Sequence, residues 1–272
     1  MGDDRRSEYT RSTPTLYLLG AGVSFPKHLT AESIEVLSIC EKILTNLPEA
    51  ICENFPDYLR PKIQSVWGLY QENRNRIDNC KDVTHAIIKA AITASPVAWV
   101  TPGHPLVFDS VSTNLLEASH TLRWNIEVVT TIVGIDTVLA DVGYDPANGL
   151  VVCEATVAAK QNIGLIPTVA TLLSQPGAFG SAITHYTAGW RPDLTSLQSY
   201  LAGFFGLEHR CAFVRSCSNP DGSSQIYWAS IRDMTSVPLS ALAGSTLFVP
   251  PVMSTLREGG ILSGSLSSAA AG

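Results

Sequence analysis

The sequence predicts an α/β protein with two lobes, a parallel N-terminal sheet and a mixed C-terminal sheet with flanking helices. Up to about residue 145, apolar strand-like segments alternate with amphipathic helical segments, an order typical of a parallel sheet covered by helices. Later in the chain, two strand-like segments flank a turn and predict an antiparallel hairpin. The length of 272 residues suits two lobes of roughly 120 residues each.

Composition excludes several classes of protein. Hydrophobic residues make up 45% of the chain and charged residues 15%, which indicates a globular protein. The net charge of -6 argues against a nucleic-acid partner. No apolar run is long enough to span a membrane, and no apolar segment follows the polar N-terminus as in a signal peptide. We therefore expect a cytoplasmic protein with no membrane partner.

The cysteines indicate neither disulfides nor a metal site. The six cysteines include no pair with the spacing Cys-x-x-Cys, and most lie in apolar surroundings. This pattern is typical of buried, reduced thiols in a cytosolic protein. No bound metal is expected.

The first elements open a parallel sheet. Residues 15–19 predict a strand that leads into Gly20-Ala21-Gly22. Val23 to Pro26 follow where a dinucleotide-binding fingerprint would place its third glycine, so no NAD site is expected. Thr30 can cap a helix over residues 31–44, because apolar residues recur there at helical spacing.

The alternation continues to residue 142. Residues 64–76 predict a helix followed by a polar turn, and residues 81–94 a second helix. The apolar run 94–100 predicts a buried strand. A helix over 111–119, a strand over 125–129 and a loop leading into a helix over 130–142 complete the predicted N-terminal pattern.

The second half predicts the mixed sheet. Strands are expected at 150–153 and 246–249. Segments 166–173 and 194–204 are expected to form strand or helix in turn. Residues 211–215 and 225–229 predict the hairpin. We expect a disordered arm at 1–14, an N-terminal lobe at 15–133, a C-terminal lobe at 134–252 and a flexible Gly/Ser/Ala-rich tail at 253–272.

The most informative segment follows the predicted strand 94–100. It reads Pro-Gly-His-Pro-Leu-Val-Phe, residues 102–108. Gly103 lets the backbone approach a ligand closely because it has no Cβ. Pro105 restricts the turn, and Phe108 offers an apolar face to an adenine or a methionine chain. A binding turn is therefore expected here, with His104 contributing through its backbone.

These segments, in this order, resemble the tetrapyrrole methylase superfamily from Tyr17 to about Pro251. The resemblance rests on Leu-Leu-Gly-Ala-Gly at 18–22, the Gly-His-Pro turn and the closing segment 245–251. It implies a tetrapyrrole-methylase-like fold that binds the cofactor S-adenosyl-L-methionine (SAM) between its lobes. The residues that the resemblance assigns to SAM are Gly103, His104, Pro105, Val107, Phe108, Val133, Gly134 and Gln175.

Within this superfamily the chain is most similar to the borosin peptide N-methyltransferases, which methylate backbone amides of a ribosomal precursor peptide. The shared features are Val107-Phe108, the acidic segment 136–146, Glu-Ala-Thr at 154–156 and Gln175. The resemblance also places Trp67, Tyr70 and Arg76 at the catalytic positions. Trp67 replaces an expected tyrosine, as does Cys80, and residues 130–134 differ from the usual motif.

The chemistry of amide methylation is consistent with these residue types. An amide nitrogen is a poor nucleophile because its lone pair is delocalised into the carbonyl. Tyr70 could act as a base if Arg76 favours its phenolate form, or Arg76 could stabilise the charge on the amide oxygen. Trp67 could form an apolar wall with a π face suited to a sulfonium.

The resemblance implies a homodimer, and we expect the precursor peptide on a separate chain. Two other functions stay open: methylation of a tetrapyrrole or another small molecule, and a catalytically degenerate partner subunit that binds SAM or a peptide. Typical tetrapyrrole methylases carry Gly-Pro-Gly-Asp-Pro in their first loop. The chain lacks this sequence, which counts against the small-molecule function. The departures at Trp67, Cys80 and 130–134 motivate the second.

Overall fold

The computed structural model describes residues 14–185, 190–218 and 222–252. The predicted arm (except Pro14), the predicted tail and residues 219–221 of the hairpin turn lie outside them. The chain forms two five-stranded sheets. Their strands are β1 (Leu16–Gly20), β2 (Lys42–Thr45), β3 (Ile63–Ser65), β4 (Val97–Thr101), β5 (Ile126–Val129), β6 (Leu150–Glu154), β7 (Ala170–Ser174), β8 (Arg210–Arg215), β9 (Gln225–Ser230) and β10 (Thr246–Val249).

Helices flank both sheets. They are α1 (Ala31–Ile39), α2 (Glu49–Cys52), α3 (Arg76–Thr93), α4 (Ser110–Leu122), α5 (Gly134–Val142), α6 (Ala155–Lys160), α7 (Thr195–Phe205) and α8 (Leu239–Leu242). Short 3-10 helices lie at Arg60–Lys62, Trp67–Leu69, Pro146–Asn148, Pro176–Ala178 and Met234–Ser236. No helix of the described residues combines the length and apolar character needed to cross a membrane.

The N-terminal sheet is parallel throughout, as predicted. Its strands lie in the order β3-β2-β4-β1-β5. Every residue of β1 and β4 is buried. Alternate side chains of these strands enter two separate apolar clusters, one on each face of the sheet. Because all five strands run in the same direction, their carboxyl ends meet at one edge.

The C-terminal sheet is mixed, as predicted, in the order β6-β7-β10-β8-β9. β6 and β7 are parallel, whereas β10 runs antiparallel to both β7 and β8. The hairpin of β8 and β9 is confirmed, with Phe213 opposite Tyr227. The lobe boundary at residues 133 and 134 stays a prediction, and every strand of the first sheet precedes every strand of the second.

The prediction of one helix over residues 31–44 was wrong. Helix α1 ends at Ile39, Cys40 is extended, and β2 follows. Ile43 and Leu44 of β2 enter the clusters on opposite faces of the sheet. A short apolar run buried on both faces has no periodicity that distinguishes a strand from a buried helix.

The prediction of a helix over residues 64–76 was also wrong. This region holds β3, the 3-10 helix Trp67–Leu69 and a turn in which Asn73 has a φ of 60°. Helix α3 begins five residues before the predicted start at 81, because the Asn75 side chain accepts a hydrogen bond from the Ile77 N–H. Helix α6 was not predicted, and Glu154 caps it by accepting the Val157 N–H.

The cysteines are buried to different extents. Cys40 and Cys211 are buried and the other four are partly buried; the six, all within the described residues, form no disulfide bond. Burial raises the pKa of the Cys40 thiol, and that of Cys211, to about 12. Burial therefore favours the neutral thiol at both positions.

One carboxylate connects the core of the N-terminal sheet to helix α4. Asp109 Oδ1 accepts a hydrogen bond from the Val111 N–H (3.0 Å) and so caps the helix. Its Oδ2 accepts hydrogen bonds from the indole N–H of the fully buried Trp99 (3.2 Å) and from the Ser112 hydroxyl (2.7 Å). Asp109 thus fixes the start of α4 directly after the Gly-His-Pro turn.

We expect Asp109→Ala to lower the free energy of unfolding by about 2–4 kcal/mol, because it removes the cap and leaves the buried indole N–H without an acceptor. Urea unfolding measures this change. The control Glu35→Ala, at an exposed carboxylate on α1, should change the free energy of unfolding by less than about 0.5 kcal/mol. Equal effects of the two substitutions would contradict the role of Asp109.

Candidate functional site

The candidate site begins where the carboxyl ends of β1 and β4 meet. Gly22 and Gly103 form an isolated antiparallel bridge: the Gly22 N–H donates to the Gly103 carbonyl (3.2 Å), and the Gly103 N–H donates to the Gly22 carbonyl (2.9 Å). A Cβ on Gly20 would lie 2.0 Å from the Gly103 carbonyl oxygen and 2.2 Å from Thr131 Cγ2. Glycine is therefore required at residue 20 for this close approach.

The Gly-His-Pro turn presents an open backbone and an apolar side chain. Gly103 has a φ of +70°, and a Cβ built there would meet no atom within 4 Å. His104 Nδ1 accepts the Leu106 N–H (3.1 Å), and the His104 carbonyl accepts the Val107 N–H (3.0 Å). Phe108 has a φ of 59° and is 42% exposed. These hydrogen bonds fix a turn that begins at an unobstructed glycine and ends at an exposed phenylalanine.

A second open segment precedes helix α5. The Val133 N–H donates to Asp136 Oδ2 (3.0 Å), which fixes the first turn of the helix. A Cβ on Gly134 would meet no atom within 4 Å. Thr131 is anchored by its hydroxyl, which donates to the His28 carbonyl (3.0 Å). The backbone of residues 133 and 134 is thus ordered and uncrowded.

A hydrogen bond connects the two lobes at the predicted catalytic arginine. Arg76, the first residue of α3, donates through Nη2 to Gln175 Oε1 over 2.8 Å. Gln175 follows β7 in the left-handed region with a φ of 59°. The structure therefore brings together two residues that the sequence analysis assigned to catalysis and to the cofactor.

The predicted aromatic residues form a second pair. The rings of Trp67 and Tyr70 lie 6.2 Å apart at 43°, and Trp67 is 40% exposed. Tyr70 and Cys80 both pack against the N-terminal core. Burial raises the pKa of the Cys80 thiol and the nearby Asp109 carboxylate adds to the increase, whereas the Arg76 guanidinium lowers it. The charge of Arg76 thus reaches Cys80, which packs against the same core cluster as Tyr70.

Backbone hydrogen bonds join the turn ahead of α3 to the C-terminal lobe. The Asn73 N–H donates to the Thr184 carbonyl (2.9 Å), and the Thr184 N–H donates to the Arg74 carbonyl (2.9 Å). The Arg76 N–H donates to the Ala182 carbonyl (2.8 Å). The N–H of Arg76 is therefore held by the same lobe that its side chain contacts.

The sequence analysis missed Asn79, which is fully buried in α3. Its Nδ2 donates to the Gln71 carbonyl and to the Thr184 hydroxyl, both over 2.9 Å. Its Oδ1 accepts the Gln71 N–H (3.3 Å). The signal that could have identified it is a polar residue four positions before Val83 on the apolar face of the helix.

The comparisons with known proteins identify the family. A family model described as Tetrapyrrole (Corrin/Porphyrin) Methylases matches residues 15–233. The chain belongs to this family. Members of the tetrapyrrole methylase family use SAM as methyl donor.

Curated relatives of this chain include two borosin precursors. A methyltransferase/ribosomally synthesized type I borosin cyclic peptide precursor from Cerrena unicolor is 22% identical over 246 residues, which cover 89% of this chain and 60% of the relative. A second such precursor, from Serendipita vermifera subsp. bescii, is 21% identical over 87% of this chain and 59% of the relative. The chain thus spans about 60% of the length of these relatives.

Solved structures share the fold of this chain. Uroporphyrin-III-C-methyltransferase from Thermus thermophilus aligns with a TM-score of 0.58 and 18% identity, over 86% of this chain and 91% of that one. Cobalt precorrin-4 methyltransferase aligns with a TM-score of 0.60 and 10% identity, over 86% of this chain and 94% of that one. The predicted fold class is confirmed.

The described residues fit the cofactor that the family uses. Gly103 and Gly134 leave space that a Cβ would fill, and Phe108 offers an exposed ring at the same turn as Gly103. Backbone groups and an aromatic face suit the polar and adenine parts of SAM. The assignment of these residues, with His104, Pro105, Val107, Val133 and Gln175, to cofactor binding stays a prediction.

We expect Gly20→Ala to lower the free energy of unfolding by about 1–3 kcal/mol, because the new Cβ overlaps the Gly103 carbonyl. The same displacement of the Gly-His-Pro turn should weaken SAM binding. Urea unfolding and titration calorimetry with SAM measure the two effects. Gly164→Ala is the control, since a Cβ there meets no atom within 4 Å. Equal behaviour of the two variants would contradict this account of the turn.

Proposed function

We propose that this methyltransferase methylates backbone amide nitrogens of a ribosomal precursor peptide that is supplied as a separate chain. The observation that carries the proposal is the 2.8 Å hydrogen bond between Arg76 and Gln175. It joins the residue that the borosin resemblance assigns to catalysis to the one that it assigns to cofactor contact. The borosin precursors among the curated relatives, aligned over 87–89% of the chain, support a peptide substrate.

The reaction sets two requirements for the protein. The amide nitrogen must lose its proton, because its lone pair is delocalised into the carbonyl. The negative charge that then forms on the amide oxygen must be stabilised. When bound, SAM supplies the methyl group as an electrophile, so the protein has to provide the base, the oxygen contact and the alignment.

In this proposal Arg76 stabilises the amide oxygen. A guanidinium has five N–H donors in a planar arrangement. Gln175 Oε1 accepts from Nη2, and the N–H groups that it does not engage can meet the developing charge. The hydrogen bond from the Arg76 N–H to the Ala182 carbonyl keeps the backbone of Arg76 in place.

Tyr70 is the proposed base, and Trp67 the apolar wall beside it. The two rings are in contact range at 6.2 Å between centroids. Tyr70 is partly buried against the core, and exclusion of water there would favour transfer of the amide proton to it. The partial exposure of Trp67, 40%, leaves part of its ring available to a substrate.

We also propose that the protein acts in the cytoplasm as a homodimer. The six free cysteines, all among the described residues, are typical of a reducing compartment and support the first part. The resemblance to the borosin enzymes supports the second. Light scattering coupled to size exclusion measures the oligomeric state, and a monomeric mass at micromolar concentration would contradict the dimer.

We expect the purified protein, given SAM and candidate precursor peptides as separate chains, to add methyl groups to the peptide backbone. Tandem mass spectrometry locates each added methyl group on a backbone nitrogen or on a side chain. Methylation of a tetrapyrrole and of no peptide would favour the small-molecule alternative. SAM binding without transfer to either substrate would favour the partner-subunit alternative.

We expect Tyr70→Phe to reduce kcat about 100-fold or more, because the variant cannot accept the amide proton. The affinity for SAM, measured by calorimetry, should be unchanged. Tyr58→Phe is the matched control, since Tyr58 is 58% exposed, and it should keep full activity. A Tyr70→Phe enzyme with normal kcat would remove Tyr70 from the mechanism.

A further inference from the structure

A depression of about 680 Å³ lies in the C-terminal lobe, apart from the residues assigned to SAM. The end of helix α6, the loop after β7 and the segment ahead of α7 form its walls. The residues that matter to its chemistry are Lys160, Phe179, Ser181, Trp190, Arg191 and Asp193. The volume is large enough for several side chains of a peptide.

An aromatic ring held in a fixed orientation forms one wall. The Trp190 indole stacks on the His185 imidazole with 4.2 Å between centroids and 10° between planes. His185 Nε2 in turn lies 3.0 Å from the Ser181 hydroxyl oxygen. The Ser181 hydroxyl also contacts the backbone of Ile183, at 3.0 Å from its nitrogen and 3.1 Å from its carbonyl oxygen. Little side-chain entropy would be lost when a ligand packs on Trp190.

Two cations line the same depression. Arg191 Nη2 donates to the Thr235 carbonyl (2.7 Å) and to the Val237 carbonyl (2.5 Å). These bonds hold the guanidinium in place, and its Nη1 and Nε donate to no group of the described residues. The Lys160 ammonium, at the end of α6, forms neither an ion pair nor a hydrogen bond with any described residue. Both cations therefore keep donors for an anionic ligand.

The carboxylate in the depression is already engaged. Asp193 Oδ1 accepts hydrogen bonds from the Thr195 N–H (2.9 Å) and the Thr195 hydroxyl (2.6 Å). These bonds hold the pKa of Asp193 below its usual range. With one engaged anion against two cations, the depression has an excess of positive charge and complements an acidic ligand.

The depression adjoins the segment that holds the predicted catalytic arginine. Ser181 lines the depression, and the next residue, Ala182, accepts the Arg76 N–H. Thr184 bonds to the turn ahead of α3. A peptide bound here would therefore lie beside the chain segment that forms one side of the candidate site.

We propose that this depression binds an acidic segment of the substrate peptide, with a carboxylate side chain at Lys160 and Arg191 and an apolar side chain on Trp190. The proposal rests on the proposed peptide substrate and adds a docking site outside the reacting centre. Binding energy from such a remote segment can hold the target amide at the site.

The test uses a synthetic pentapeptide, acetylated and amidated, of sequence Phe-Glu-Asp-Glu-Phe, and its neutral match Phe-Gln-Asn-Gln-Phe. Titration calorimetry with the full chain measures both. We expect the acidic peptide to bind with a Kd below about 1 mM and the neutral peptide at least about tenfold more weakly, since charge-assisted hydrogen bonds are lost. Lys160→Glu should raise the Kd of the acidic peptide by about tenfold or more. Lys89→Glu, at an exposed lysine on α3, is the control of equal charge and should have no such effect.

Three results would overturn the proposal: equal binding of the two peptides, equal effects of Lys160→Glu and Lys89→Glu, or no binding of the acidic peptide up to about 1 mM. SAM titration of the same variants keeps the outcomes separate. A protein that methylates a precursor peptide but fails this test refutes the docking site alone. A protein that binds the acidic pentapeptide but methylates no peptide refutes the proposed function and not the site.

Discussion

The candidate site depends on the buried carboxamide of Asn79. Its side chain forms hydrogen bonds with the backbone of Gln71 and with the hydroxyl of Thr184. It therefore holds the loop between Tyr70 and Arg76 against the C-terminal lobe. A buried amide that loses a partner is costly, because the desolvation of the remaining group is uncompensated. The geometry of Tyr70 and Arg76 relative to Gln175 is therefore set by a residue that has no role in the proposed chemistry.

Much of the fold could be predicted from the sequence. Strands β1, β4 and β10 and the hairpin of β8 and β9 lie close to their predicted positions, because apolar runs bounded by glycine, proline or turn residues are strong local signals. The errors fall where local signals compete. Ile43 and Leu44 are buried on opposite faces of the sheet, so the sequence around them shows no apolar-polar periodicity. Asn75 caps α3 within a run of polar residues whose sequence predicts a turn.

The site was predictable only in part, for a different reason. The Gly103 turn has a local cause, since a strand followed by Gly-His-Pro indicates a close approach of backbone and ligand. The bond between Arg76 and Gln175 joins residues 99 positions apart, and no local pattern indicates such a pair. The family resemblance identified both residues as candidates, but it did not predict that they are in contact. Asn79 was missed because its partners lie in a turn and in the other lobe.

The order of the strands along the chain has a consequence for biosynthesis. All five strands of the parallel sheet precede residue 130. A nascent chain can therefore complete this sheet while the second half is still being synthesised. The turn ahead of α3 pairs with Ala182 and Thr184, which are made later. During synthesis the first sheet can therefore form before the hydrogen-bond partners of Arg76 exist, and the candidate site can be completed only after residue 184 has been made.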